Sequence, residues 1–128
     1  MKPQTFEDVI AGRRPAHVIR RDHAHLAFLA ERPVRPGHVI VATTAVVDGV
    51  FDLSPAGHAA LWAFVREVAR SMRERLPCER VCVSVIGWVV RHAHVHLVPT
   101  DAPGQMPGLD GPPLPAAVMA AIASRLAG

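Results

Sequence analysis

The segment Arg91-His92-Ala93-His94-Val95-His96-Leu97-Val98-Pro99 sets a histidine at every second position of an otherwise apolar run. No other stretch constrains the fold of this chain as tightly. In a β-strand alternate side chains share a face, so His92, His94 and His96 point one way and Ala93, Val95 and Leu97 the other. On a helix the histidines would sit about 200° apart at each step, and no single surface would gather them. The pattern predicts a strand with core on one face and a histidine-lined pocket on the other.

A chain of 128 residues is one domain's worth, and half of its residues are hydrophobic, ample for a core and unlike a disordered chain. No apolar run approaches the ~20 residues of a membrane span. Met1–Asp8 lacks the apolar segment of a signal peptide. The expectation is a soluble cytoplasmic protein. Cys78 and Cys82 lack the spacing of a zinc knuckle or redox motif and read as reduced thiols. The net charge of +3 favours an anionic ligand such as phosphate. Arg13-Arg14 and Arg20-Arg21 are isolated pairs, and the chain has no tyrosine, so no stacking platform for single strands is visible. Neither a nucleic-acid nor a membrane partner is expected.

In chain order, Thr5 with Asp8 resembles a capping box and Gly12 a stop, predicting a short helix over Thr5–Ala11 with Phe6, Val9 and Ile10 inward. His17–Arg21 and His25–Leu29 read as a hairpin turning at Asp22-His23. Glu31–Gly37 has loop chemistry, and His38–Ala42 is a short strand. Ser54-Pro55 marks a helix start. Leu61, Val65, Val68 and Met72 then form one apolar stripe, with Arg66, Glu67, Arg70, Arg73 and Glu74 on the solvated side, as far as Arg75. Trp62 and Phe64 widen the apolar arc, which suits either a partner surface or a thicker core. Arg80–Ile86 alternates as a strand, Gly87 bends the chain, and the histidine strand is expected from about Val89. Thr100–Pro113 reads as loop, and Pro115–Leu126 as a last helix with Val118, Ile122 and Leu126 on one side. The sum is a single α+β domain on an antiparallel sheet.

Three same-face imidazoles admit three readings. They can be merely solvated or satisfied, although three in a row serve no packing purpose. They can supply an open metal site, His-x-His plus a distant histidine, although no acidic ligand stands near and Arg91 would disfavour a cation. They can do phosphate chemistry. A neutral ring attacks phosphorus to form a covalent nucleotidyl intermediate while neighbours contact non-bridging oxygens.

His92-Ala93-His94-Val95-His96-Leu97-Val98 resembles the His-φ-His-φ-His-φ-φ signature (φ apolar) of the histidine triad family of nucleotide hydrolases and transferases. Leu26-Ala27-Phe28-Leu29, followed by Arg35-Pro36-Gly37-His38-Val39-Ile40-Val41, resembles a second block of that family. Phe51-Asp52-Leu53 and Phe6–Pro15 match further elements, and the short connection around Gly87 looks like a bacterial branch. The resemblance covers about residues 5–100 and leaves 101–128, a Pro/Gly-rich loop and helix, without a counterpart. It implies a five-stranded antiparallel sheet with one long and one short helix. It implies His94 as nucleophile, His96 on the phosphate, His92 orienting His94, and His38 completing the phosphate environment. Phe6, Val9 and Phe28 fall where the family lines its base pocket, a position that ordinary core residues fit equally well.

The departures concern the substrate. Ala30 stands where the family usually has an Asp or Asn for the ribose hydroxyls, a loss worth on the order of 1–3 kcal/mol. Trp88, beside the bound nucleotide, replaces a frequent Gln, and Val89 the leaving-group Ser or Thr. Thr43-Thr44 replaces the usual Pro-Lys. The implied activity is cleavage of a phosphoanhydride or phosphoramidate at the α-phosphorus. No cofactor is required, although a magnesium ion can accompany a polyphosphate substrate. A binding module that holds a nucleotide without turning it over is the alternative on the same fold. The family is commonly homodimeric. Arg91 fits either a phosphate contact or a solvated side chain.

Overall fold

The computed structural model describes residues 3–106, 108 and 111–127, and the side chains from Phe6 onward. Its elements are α1 (Pro3–Ile10), β1 (Val18–Arg21), β2 (His25–Leu29), β3 (Val39–Thr43), a 3-10 turn (Val50–Asp52), α2 (Pro55–Arg75), β4 (Arg80–Ser84), β5 (His94–Thr100) and α3 (Ala116–Ala127). The five strands form one antiparallel sheet in the order β1-β2-β3-β5-β4. The α+β architecture expected from the sequence is the one observed.

Period-two patterning sorts the sheet into two faces. Ala27, Leu29, Val39, Val41, Val95 and Leu97 pack against Leu61, Phe64, Val65, Val68 and Met72 of α2. Leu26, Phe28, Ile40 and Ala42 pack on the other face with Phe6 and Val9 of α1. The pairs Ile40↔His96 and Ala42↔His94 put both histidines on the α1 face. The site therefore lies across the sheet from the long helix.

α2 runs as its stripe predicts. Ser54 Oγ accepts the Gly57 N–H at 3.0 Å, Pro55 opens the first turn, and Arg75 closes the helix. Phe64 is buried against His25 (centroids 5.0 Å apart), whose Nδ1 meets Asp22 Oδ1 at 3.0 Å. Trp62 is half-buried against the core and donates its indole N–H to His58 Nε2 at 3.0 Å. The wide apolar arc thus serves a thick core.

Several boundaries differ from the sequence expectation. α1 starts at Pro3, so Thr5 lies inside its first turn, and Asp8 pairs with Arg13 Nε at 2.9 Å instead. Gly12 does end the helix, with φ at +78°. β4 stops at Ser84, and as an edge strand it leaves Val83 and Val85 exposed. β5 starts only at His94. Gly87, at φ +77°, turns the chain, and Ala93 spends its N–H on Val47 O (2.6 Å), so residues 85–93 form a connection. In α3 the inward residues are Met119, Ile122 and Leu126, while Val118 is exposed.

Gly37 is the tightest point before the site. Its φ is +95°, and a Cβ there would lie 2.9 Å from Leu76 Cδ1 and 3.0 Å from Pro99 Cγ. Both the backbone conformation and the space require glycine. Gly37→Ala is expected to cost at least about 1–3 kcal/mol of stability, measured by urea unfolding. A variant as stable as the parent would contradict this placement.

Candidate active site

Four histidines meet on the α1 face. His38 follows the Arg35-Pro36-Gly37 turn, which closes through His38 N–H to Arg35 O at 3.1 Å. His94 and His96 lie on β5, and their ring centroids are 4.9 Å apart, so the rings lean toward one another. His92 precedes the strand, yet its ring stays on the same side, because Phe6 meets both His92 (5.7 Å) and His94 (4.9 Å) edge-on. All four rings are buried.

Their hydrogen bonds fix which nitrogen carries each proton, because a carbonyl can only accept and a backbone N–H can only donate. His94 Nδ1 lies 2.6 Å from His92 O, so Nδ1 holds the hydrogen and Nε2 keeps the lone pair. The Val34 N–H donates to His38 Nδ1 at 3.1 Å, which puts the His38 hydrogen on Nε2. That N–H donates in turn to His96 Nδ1 at 2.9 Å, leaving the hydrogen of His96 on Nε2. The result is a lone pair on His94 beside an N–H donor on His96. His92 donates from Nε2 to Thr43 O at 2.6 Å, and its buried Nδ1 has no partner among the described residues.

Burial favours the neutral form of His38, His94 and His96, since removing water penalises the charged form. Desolvation lowers His38 to about 4. Desolvation, then the neighbouring His94 and His38, lowers His96 to about 3. For His94 desolvation also dominates and the net direction is downward, although the bond to His92 O works against it.

His94 and His96 open on a cleft of about 330 Å³, lined also by Phe6, Ala30, Ile40, Val90 and the Ile86–Val89 bend, with Glu31 and Arg32 as its charged members. Phe6 and Trp88, expected near a nucleotide, do border it. Val9 and Phe28 are buried behind it in the cluster around α1, which is the core alternative. Ala30 lies in the wall, so no polar group stands at that position. Glu31, one residue on, is gripped by Arg14 at 2.9 and 2.7 Å. The sequence expectation placed Glu31 and Arg32 in a loop, although a carboxylate two residues past a buried strand was the available signal. Arg91 is exposed, sits 3.6 Å from Asp48 Oδ2, and lies over the Trp88 ring at 5.6 Å.

A family model described as the HIT domain matches residues 11–102. The chain belongs to the HIT family. An uncharacterised HIT-like protein of Saccharolobus solfataricus is 26% identical over an alignment of 100 positions that covers 74% of this chain and 72% of that one. The bis(5'-nucleosyl)-tetraphosphatase (asymmetrical) of Schizosaccharomyces pombe is 28% identical over 89 residues, 66% of this chain and 49% of its own length. The bis(5'-adenosyl)-triphosphatase of Dictyostelium discoideum is 24% identical over 91 residues, 67% of this chain and 61% of that one. This HIT chain thus spans about half to three-fifths of the length of these two hydrolases. Among solved structures, a hypothetical histidine triad nucleotide-binding protein of Sulfolobus tokodaii superposes with a TM-score of 0.87 at 18% identity, covering 96% of this chain and 89% of that one. A zinc-bound histidine triad family protein of Mycobacterium smegmatis gives a TM-score of 0.78 at 25% identity, covering 96% and 92%.

The lowered histidines set an acid limit on stability. The unfolded chain takes up protons near pH 6.5 that the folded site refuses, so stability is unaffected above that pH and falls as pH drops toward about 4. The slope is expected to reach about 1.4 kcal/mol per pH unit for each such histidine. Urea titrations at stepped pH check it, with His38→Asn flattening the slope. A parent curve that is level from pH 6.5 to pH 4.5 would contradict the burial argument.

Proposed function

We propose that this HIT protein is a nucleotide hydrolase or nucleotidyl transferase acting at the α-phosphorus through a covalent nucleotidyl-His94. The observation that carries the reading is the His94 ring, with Nδ1–H held by the His92 carbonyl and Nε2 left as the lone pair in a histidine-lined cleft. The two polyphosphatase relatives support a phosphoanhydride substrate. Dinucleoside polyphosphates, nucleoside phosphoramidates and adenylylated amines are the candidate classes. The residues 85–93 between β4 and β5 are a short connection, which supports placing the chain in the short-loop bacterial branch.

In this reading His94 Nε2 attacks the α-phosphorus and a P–N bond forms. The P–O or P–N bond to the leaving group breaks, and the leaving group departs with its electron pair and takes up a proton from solvent; the water that later attacks phosphorus returns one to solvent. The His92 carbonyl, on Nδ1–H, stabilises the positive charge that develops on the ring. The His96 Nε2–H donates to a non-bridging oxygen, and His38 holds His96 in that tautomer. Water, or another acceptor, then attacks phosphorus and breaks the P–N bond. The His92 ring is itself tied to the Thr43 carbonyl, which holds the His92 carbonyl in place on His94. The bond between His38 Nε2 and His96 Nδ1 would have to break for His38 to join His94 and His96 on a metal, which favours nucleotidyl transfer over a histidine-ligated metal. Any magnesium ion would travel with a polyphosphate substrate.

Rapidly quenched intact-protein mass spectrometry with diadenosine polyphosphates and an adenosine phosphoramidate is expected to show one added nucleotidyl group. His94→Ala is expected to abolish it and to lower turnover by at least about four orders of magnitude, as for other nucleophiles that act within a unit. Equal turnover by His94→Ala would sink the assignment. Binding without any product would favour the non-catalytic module, a reading motivated by the apolar Ala30, Trp88 and Val89.

We also propose a homodimer. β4 is the edge of the sheet, and Val83, Val85 and Ile86 are exposed along or just past it, a surface suited to a second copy. Size-exclusion chromatography with light scattering is expected to give twice the chain mass of 13.8 kDa. A monomer at micromolar concentration would contradict it.

A further inference from the structure

The chain beyond the matched domain comes back to the site. After β5 it leaves the sheet, and Gly111 then lies against the loop that leads into His38. The Gly111 N–H donates to Arg32 O at 3.0 Å, and Arg32 Nε–H donates to Gly111 O at 3.3 Å. A Cβ on Gly111 would collide with the carbonyl oxygen of Pro33 and lie 3.5 Å from Val34 Cα. Downstream, Leu114 packs on the core and α3 follows, so this crossing is anchored on its far side. Val34 supplies the N–H that decides the tautomer of His38.

We propose that Gly111 is a positioning residue for the histidine site, seating Arg32–Val34 so that His38 carries its hydrogen on Nε2. The inference rests on the proposed role of the His96 Nε2–H. The physical reason is the directionality of the relay. With Val34 in place, His38 can only accept at Nδ1 and donate from Nε2, and His96 then presents an N–H to the cleft. If the Val34 N–H moves away, His38 can take its hydrogen on Nδ1 and the relay reverses. His96 would then donate from Nδ1 and turn a lone pair toward the phosphate oxygens, replacing an attraction by a repulsion.

The test uses full-length protein labelled with ¹⁵N-histidine, whose long-range ¹H–¹⁵N spectra distinguish the two tautomers of each ring. The parent is expected to show His38 and His96 protonated at Nε2 and His94 at Nδ1. In Gly111→Ala, His38 and His96 are expected to become mixed or reversed, while His94 and the distant His25 keep the parent pattern. With a nucleotide substrate, kcat is expected to fall on the order of ten- to a hundred-fold with KM little changed. Arg32→Met removes the side-chain bond to Gly111 while keeping the backbone one; because it also takes a charge from the cleft it is read by the tautomers alone, with the same two rings expected to shift less, which keeps the test open if Gly111→Ala does not fold. Parent-like tautomers at both rings in whichever variant folds would overturn the positioning role. Because the spectra need no turnover, that result is distinct from a failure of the enzymatic reading, which the absence of a nucleotidyl-His94 in the parent would reveal.

Discussion

Burying imidazoles side by side without letting them charge is the constraint on which this site depends. Water is largely excluded from His38, His94 and His96, so protonating one of them would place a poorly solvated cation beside its neighbours. Neutral rings, however, still each have one N–H that needs an acceptor. The fold meets that need mostly with backbone groups, whose donor or acceptor character is fixed. Thr43 O and His92 O can only accept, and the Val34 N–H can only donate. Each ring is thereby forced into one tautomer, and the same pairing that satisfies burial decides where a lone pair remains.

The sheet supplies these partners because the site lies where regular pairing ends. His92 falls short of β5, at a point where Ala93 bonds to Val47 and the ladder is interrupted. Its carbonyl is consequently turned to the ring of His94 rather than to a neighbouring strand. At the other side of the cleft Gly37 allows the close turn that brings the ring of His38 within reach of His96. The Ile86–Val89 bend completes the wall with hydrocarbon, so the polar chemistry is concentrated in the histidines and in the Glu31–Arg32 pair. The cost of the arrangement is the buried Nδ1 of His92, which is an unpaired acceptor among the described residues.

Much of this was legible in the sequence because period-two patterning is a direct image of a sheet with different faces. Ala93, Val95 and Leu97 fell on the core side and His94 and His96 on the other, as the alternation requires. The stripe on α2 was equally plain, since Ser54 and Pro55 mark its start and its apolar positions repeat at helical spacing. The start of β5 was not legible. The apolar run from Val89 looks like strand, and only the long-range bond from Ala93 to Val47 ends it. Nor could the sequence separate Phe6 from Val9 and Phe28, because all three are apolar and buried and only their positions relative to the cleft differ. The return of Gly111 to Arg32 was hidden for a similar reason: a glycine in a Pro/Gly-rich stretch reads as loop, and its meaning depends on a contact 79 residues away.

The central claim is that hydrogen-bond pairing leaves Nε2 of His94 as the histidine lone pair at the cleft, free to bond to phosphorus. Phosphorus–nitrogen correlated NMR of the trapped intermediate, formed on ¹⁵N-histidine-labelled protein, tests it most directly. The account predicts a single phosphorus bonded to His94 Nε2, with the Nδ1 proton retained on the His92 carbonyl. Phosphorus on Nδ1 of His94, or on the ring of His38, His92 or His96, would contradict it.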